Sequence, residues 1–441
     1  MINLRNYLPL RSVTPLALTL LLPAVVARAD GVYLNGIGAR SMSMGGADAA
    51  YAADPLGAMG SNPAGLGFLT APGLEAGFVG GMPQGSFSKP PVSSGHLRDD
   101  IDAAPEAAFA YPIGKLCLGA SVAPMAALDA NWTYTDPPGG ANGKTSYGLQ
   151  TDHSEIYVLR SAAGLGYAFT PHFSFGASFG VDYNRNELQT PYIFQSQPVV
   201  KGAKTLLHLK TDGFGFDGQA GFLFKPLPQL QLGLTYQSPF QVKTHGSASG
   251  NVGPQFGVAN IPFSYDAQVR NKFPQQITGG VSWKFHPQWR AAAQVEWVDW
   301  ADAFTTLPVR LSSGSSSTVN GVVGSSSLAD NIPLNWRSEF VYRVGLEYEV
   351  IPSLFLRAGY CYGSDPVPGS TLTPLTAAIM ENTFTFGVGY QWKKLNADLA
   401  YQYDIPVTRG VGTSGLLSGE YSNSSVDVSV HWVGLTIGYT F

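Results

Sequence analysis

The feature that most limits what this chain can fold into is a two-residue alternation of apolar and polar side chains, repeated in segments of about ten residues. In 383–392, Phe384, Phe386, Val388, Tyr390 and Trp392 share one face, opposite Thr385, Gly387, Gly389 and Gln391. In 342–350, Tyr342, Val344, Leu346, Tyr348 and Val350 oppose Arg343, Gly345, Glu347 and Glu349. The last segment sets Val433, Leu435, Ile437, Tyr439 and Phe441 on one side. Successive strand residues point to opposite faces, so each segment is a strand with one apolar face. A soluble sandwich would alternate in the same way. Aromatics bracketing the apolar faces, and lengths suited to a tilted membrane strand of roughly 9–11 residues, select lipid instead.

Composition and address agree with that environment. Charged residues make up 13% of the chain, about half the usual share of a soluble domain. The net charge is −4 with no long basic run, so nucleic acid is not an expected partner. Residues 1–29 read as a secretory signal: Arg5 and Arg11, an apolar stretch over 16–26, then Ala27-Arg28-Ala29 as cleavage site. That stretch is too short to cross a hydrocarbon core about 30 Å thick, and no later stretch reaches the roughly 20 apolar residues a spanning helix needs. The options are a periplasmic protein, a secreted one, or an outer-membrane barrel.

Turn signals give the strand count. Short turns fall at Pro112-Ile113-Gly114, Thr170-Pro171-His172, Pro226-Leu227-Pro228, His286-Pro287-Gln288, Ile351-Pro352-Ser353 and Lys393-Lys394. Between them lie longer polar segments, near 82–104, 129–153, 189–211, 244–262, 305–338, 363–382 and 408–424. Keeping 264–285 as one strand across Pro274 gives an all-β, 14-stranded antiparallel transmembrane barrel over 71–441. Short turns then face the periplasm and long loops the outside.

Residues 30–70 break the pattern. They are rich in Gly, Ala, Ser and Met and show neither strand alternation nor a helical stripe. A small-residue module ahead of a barrel suggests a plug, or hatch, inside the lumen. Its Asn62-Pro63-Ala64 triplet is by itself a turn signal, since Asn bonds its own chain and Pro fixes φ. Together with Gly45-Gly46-Ala47 and Ala53-Asp54-Pro55, the triplet resembles the N-terminal hatch of the FadL-type outer-membrane transporters. Phe273-Pro274-Gln275-Gln276 and the hairpin after it, and the run from Trp336-Arg337 to Asp365-Pro366-Val367-Pro368, resemble the same family. The stretch from Thr373-Pro374 to Glu381 departs from it.

The resemblance implies passive uptake of hydrophobic molecules, most notably long-chain fatty acids, across the outer membrane of a Gram-negative bacterium. Aromatic or other neutral hydrocarbons are the alternative cargo. It implies a monomer in outer-membrane lipid, with no cofactor and no metal. It also carries basic carboxylate-binding positions over to Arg185 and Arg337, although strict alternation turns Arg185 outward. In strand three, over 115–129, Pro124 cannot donate to a ladder and so marks a bulge in a closed barrel. The resemblance gives that bulge a use, a lateral opening near Gly119 and Pro124.

Alternation places Glu75, Arg160, Asp182, Asp217, Lys284, Arg290, Glu296, Arg343, Glu347, Arg357 and Asp398 inside, a polar lumen with both charge signs. Cys117 and Cys361 also point inward, on strands that are not neighbours, and are read as free thiols. An outer-membrane enzyme and a general porin are the competing functions. The seven histidines are scattered, with no triad spacing and no H-E-x-x-H. A porin would need an open lumen, which the hatch fills.

Overall fold

The computed structural model describes residues 31–98 and 100–441, so the signal segment and Asp30 lie outside the described residues. Fourteen antiparallel strands close into a barrel. In chain order they are β1 (Gly73–Lys89), β2 (Ser93–Leu97 with Asp102–Ile113), β3 (Leu116–Thr135), β4 (Leu149–Thr170), β5 (Phe173–Ile193), β6 (Lys204–Leu227) and β7 (Leu230–Gln237 with Phe240–Asn251). The second half runs β8 (Pro262–Phe273 with Gln276–His286), β9 (Trp289–Val298 with Thr306–Ser312), β10 (Leu328–Pro333 with Glu339–Ile351), β11 (Leu354–Gly363), β12 (Asn382–Trp392), β13 (Leu395–Gly410) and β14 (Ser425–Thr440). β1 pairs with β14 from Gly73↔Thr440 to Ser88↔Ser425, which closes the wall. The Pro274 interruption leaves β8 a single wall strand, each of its halves pairing with the matching half of β7.

Outward positions are exposed and apolar, among them Phe78, Leu165, Phe179, Phe216, Leu234, Val344, Phe386 and Ile437. Inward neighbours such as Glu75, Arg160, Asp182, Asp217, Glu347 and Asp398 are buried. This is the barrel solution to a lipid solvent: neighbouring strands satisfy one another's backbone groups around the wall and the apolar faces look out. Lys284 is the exception to the expected inward set. It sits exposed at the periplasmic end.

The long loops need correction. β4 has 22 residues and β6 has 24, about twice a membrane span, so most of 82–104 and 189–211 and about half of 129–153 is strand. Backbone pairing does not stop where lipid stops, and Thr, His, Lys and Gln are tolerated on both faces of a ribbon in water.

The hatch fills the lumen with short pieces: α1 (Ala39–Ser43), α2 (Pro55–Gly60) and a 3₁₀ turn at Pro63–Phe68. Asp54 caps α2 by accepting from the Gly57 amide (2.7 Å), and Asn62 caps the 3₁₀ turn by accepting from the Ala64 amide (3.1 Å). Each is followed by Pro, whose missing N–H is no loss at a helix start. The wall satisfies further hatch amides. Glu106 accepts from Gly38 (3.0 Å), Thr436 from Ala39 (2.9 Å), Glu75 from Leu56 (3.0 Å) and Gln294 from Ala49 (3.1 Å). Each such amide would cost about 1–3 kcal/mol if buried unpaired. Gly45, with φ 68°, approaches so closely that a Cβ on Gly359 would lie 2.2 Å from its nitrogen. The Tyr51 ring is sandwiched between the guanidinium groups of Arg40 (4.2 Å) and Arg290 (3.6 Å). The hatch is built into the wall.

Candidate functional site

Above the hatch is a cavity of about 410 Å³, lined by Val32, Met42, Leu97, Trp132, Ile156, Val428 and Trp432 among others. Its lining includes the carboxylates Asp102, Asp129, Glu155, Glu381 and Asp404, and one arginine, Arg185. Arg185 Nε donates to Glu155 Oε1 (2.8 Å). Asp404 is held by donors from Thr383 (2.5 Å), Gln402 (3.0 Å) and Trp432 (2.8 Å). Glu381 faces Arg409. Arg337 is exposed, its amide donates to the Pro366 carbonyl (2.9 Å), and it lines none of the cavities described here. Its neighbour Trp336 is buried instead, edge-on to Trp300 at 5.2 Å. The two arginines therefore do not meet at one site.

Two more apolar cavities lead toward the outside. One of about 170 Å³ shares Val32, Leu128, Glu155 and Ile156 with the first. Another of about 280 Å³ shares Phe194, Leu311 and Leu328 with the second, under the helix α3 at Ser317–Val323. A smaller cavity of about 120 Å³ lies on the other side and has a polar wall of Arg160, Gln219, Gln237, Glu296 and Arg343. The polar and the 410 Å³ cavities share Tyr33, Leu34, Gly36 and Pro124. That short strap at the start of the hatch divides them.

The strap is bonded to the kink in β3. The β3–β4 register slips between Pro124 and Ala126, leaving Met125 extra. The other edge of β3 turns to the strap: Leu34 N donates to Met125 O (3.3 Å) and Ala127 N to Val32 O (3.0 Å), with Tyr33 paired to Ala126. The cost appears on the β2 side. β2 and β3 pair from Ile113↔Leu116 to Ala107↔Val122, and again at Leu97↔Trp132. Between those points, among the described residues, 100–106 of β2 have no ladder partner on β3. The 410 Å³ cavity reaches this gap, since Asp102, Ala103 and Ala104 line it from one side and Ala127 to Ala130 from the other. Gly119 does not flank the gap. It pairs with Ala110 below it, and a Cβ there would lie 2.6 Å from Met59 of the hatch. Asn62 also braces the hatch from within, donating to the Ala49 carbonyl (2.7 Å), while Pro63 and Ala64 pack buried beside it. The strap was the residue set that sequence reasoning missed, because three residues carry no periodicity and their partner lies about ninety positions away.

Residues 20–441 match the family described as outer membrane protein transport protein (OMPP1/FadL/TodX). The chain belongs to this family. The family's members are outer-membrane transport proteins and not enzymes, and the barrel with its apolar outer face fits a Gram-negative outer membrane. A long-chain fatty acid transport protein of Escherichia coli is 22% identical over 386 residues, covering 80% of this chain and 81% of the relative. Among solved structures, the toluene transporter TbuX of Ralstonia pickettii matches with a TM-score of 0.72 at 22% identity, covering 92% of this chain and 99% of its own. A FadL homologue of Pseudomonas aeruginosa matches with a TM-score of 0.73 at 15% identity, over 93% and 100%. These likenesses show that the chain has the family's fold.

Proposed function

We propose that this member of the family takes up neutral hydrophobic molecules, aromatic or other hydrocarbons ahead of fatty acid anions, and releases them sideways through the gap between β2 and β3. The observation that carries the route is the chain of apolar cavities, each sharing residues with the next, that ends at the stretch where β2 and β3 do not pair. Lateral release follows from solvation. Every methylene returned to water costs about 0.8 kcal/mol, and a route through the wall into lipid avoids that cost.

The choice of cargo rests on charge. A fatty acid carboxylate needs a cation, but the carboxylates around the 410 Å³ cavity outnumber its single arginine, which already faces Glu155. One uncompensated carboxylate at about 7 Å repels an anion by roughly 2–3 kcal/mol at an effective dielectric of about 20. Neutral cargo meets no such penalty. The fatty acid reading keeps one support, the half-exposed side chain of Arg185 at the cavity edge. Competition binding of toluene and a long-chain fatty acid to the purified protein separates the two. The proposal predicts tighter toluene binding, unchanged by Arg185→Ala. The fatty acid reading predicts the reverse order and a loss of about 1.5–3 kcal/mol for the acid in that variant.

A further inference from the structure

The rim of the gap, where the 410 Å³ cavity reaches the wall, carries a cluster of titratable side chains beyond the two arginines. Val158 and Arg160 of β4 are buried toward the lumen, so His153 and Glu155, of opposite parity, turn to the other side of the ladder, Glu155 being buried where the 410 Å³ cavity reaches the gap. They stand beyond Tyr157 on the way to the extracellular end of the strand. On β3, past the bulge, Asp129 is the register partner of Glu155. Two carboxylates directly opposite on a ladder repel each other; Arg185 offsets Glu155 from one side, while Asp129 takes only the Asn131 amide (3.0 Å) and, among the described residues, has no cation of its own hydrogen-bonded to it. His153 stands between the two, with Nε2 3.2 Å from Asp129 Oδ1. That nitrogen is shut off from solvent, yet the contact is not directed as a hydrogen bond. One ligand atom from each of Asp129, His153 and Glu155 lies within 4.8 Å of the other two.

We propose that Asp129, His153 and Glu155 form a binding site for a first-row divalent cation, with zinc the best match, on the outer rim of the gap. One imidazole nitrogen with two carboxylate oxygens is a ligand set that zinc accepts. Tetrahedral bonds of about 2.0–2.1 Å put ligand atoms roughly 3.4 Å apart, so small side-chain rotations bring the three to bonding distance. Arg185 occupies Oε1 of Glu155, and a carboxylate has a second oxygen to offer. The Asp129 and His153 side chains keep 25% and 20% of their exposure, so the cluster borders solvent, and rotation of the imidazole is what uncovers its buried Nε2 to an incoming ion. Bound there, it ties β3 to β4 at the height where β3 has lost β2.

The test is calorimetric titration of the purified, chelator-treated full-length barrel with zinc chloride alone. The expected result is one ion per chain, weakened by more than about tenfold in both Asp129→Asn and His153→Ala. His208→Ala keeps the binding, because His208 lies on the same face but bonds Glu187 (2.9 Å). Heat-dependent gel mobility shows which variants still form barrels, and the near-isosteric Asp129→Asn decides if His153→Ala does not. Absence of zinc binding, or binding that both variants retain, overturns the proposal and leaves a protonated His153 as the charge between the carboxylates.

Discussion

At the residue scale, Lys204 concentrates the energetics of the extracellular mouth. It is fully buried, with Nζ 2.7 Å from each of Asp136 Oδ1, Pro137 O and Glu420 Oε2, so one ammonium joins three separate segments. Removing one partner of a buried ion cluster leaves uncompensated charge and costs about 3–5 kcal/mol. Lys204→Met therefore destabilises the packed loops by that order, read as faster amide exchange over 136–148 and 411–424 with the membrane wall unaffected. The sequence made part of such detail legible. Parity turned Arg185 outward, and it stands half-exposed at the cavity edge, but its partner Glu155 lies 30 positions away and no local signal pairs them. Arg337 was placed by resemblance alone, and the chain there turns Trp336 inward and the arginine to solvent.

At the element scale, caps were readable and long-range pairing was not. Asp54-Pro55 and Asn62-Pro63 announce helix starts because both the capping side chain and the donor-free proline are local. Pro124 announced the bulge in β3 for the same reason, whereas the strap that takes up the freed edge did not show. Pro124→Ala returns one N–H to the kink, and uptake should slow several-fold while the barrel remains heat-stable. An unchanged rate would detach the kink from release. The outer loops should also respond to pH. Burial pushes Glu420 and Asp152 each up to about 7. A carboxyl whose folded value is raised contributes stability that is complete below its unfolded value near 4 and is lost as pH rises through about 7. Loop protection against proteolysis should be greater at pH 5.5 than at pH 8, and Glu420→Gln should shrink the difference.

At the scale of the whole molecule, the alternation specified the barrel and its strand count, because lipid leaves a chain without spanning helices no other way to satisfy its backbone. It did not specify how far strands continue beyond lipid, since the pattern that marks the membrane fades in water although the ladder does not. The hatch, bonded to the wall at Glu75, Glu106, Gln294 and Thr436, makes wholesale unplugging costly, and the proposed route leaves instead through the gap beside Pro124. The most direct test places Ala104→Cys and Ala127→Cys across that gap, the native Cys117 and Cys361 being buried. The pair is then joined with a short bifunctional thiol reagent. Lateral release predicts that joining stops hydrocarbon uptake and that a reducible linker restores it on cleavage. Uptake that continues at the same rate with the gap stapled would contradict the account and favour release straight into the periplasm.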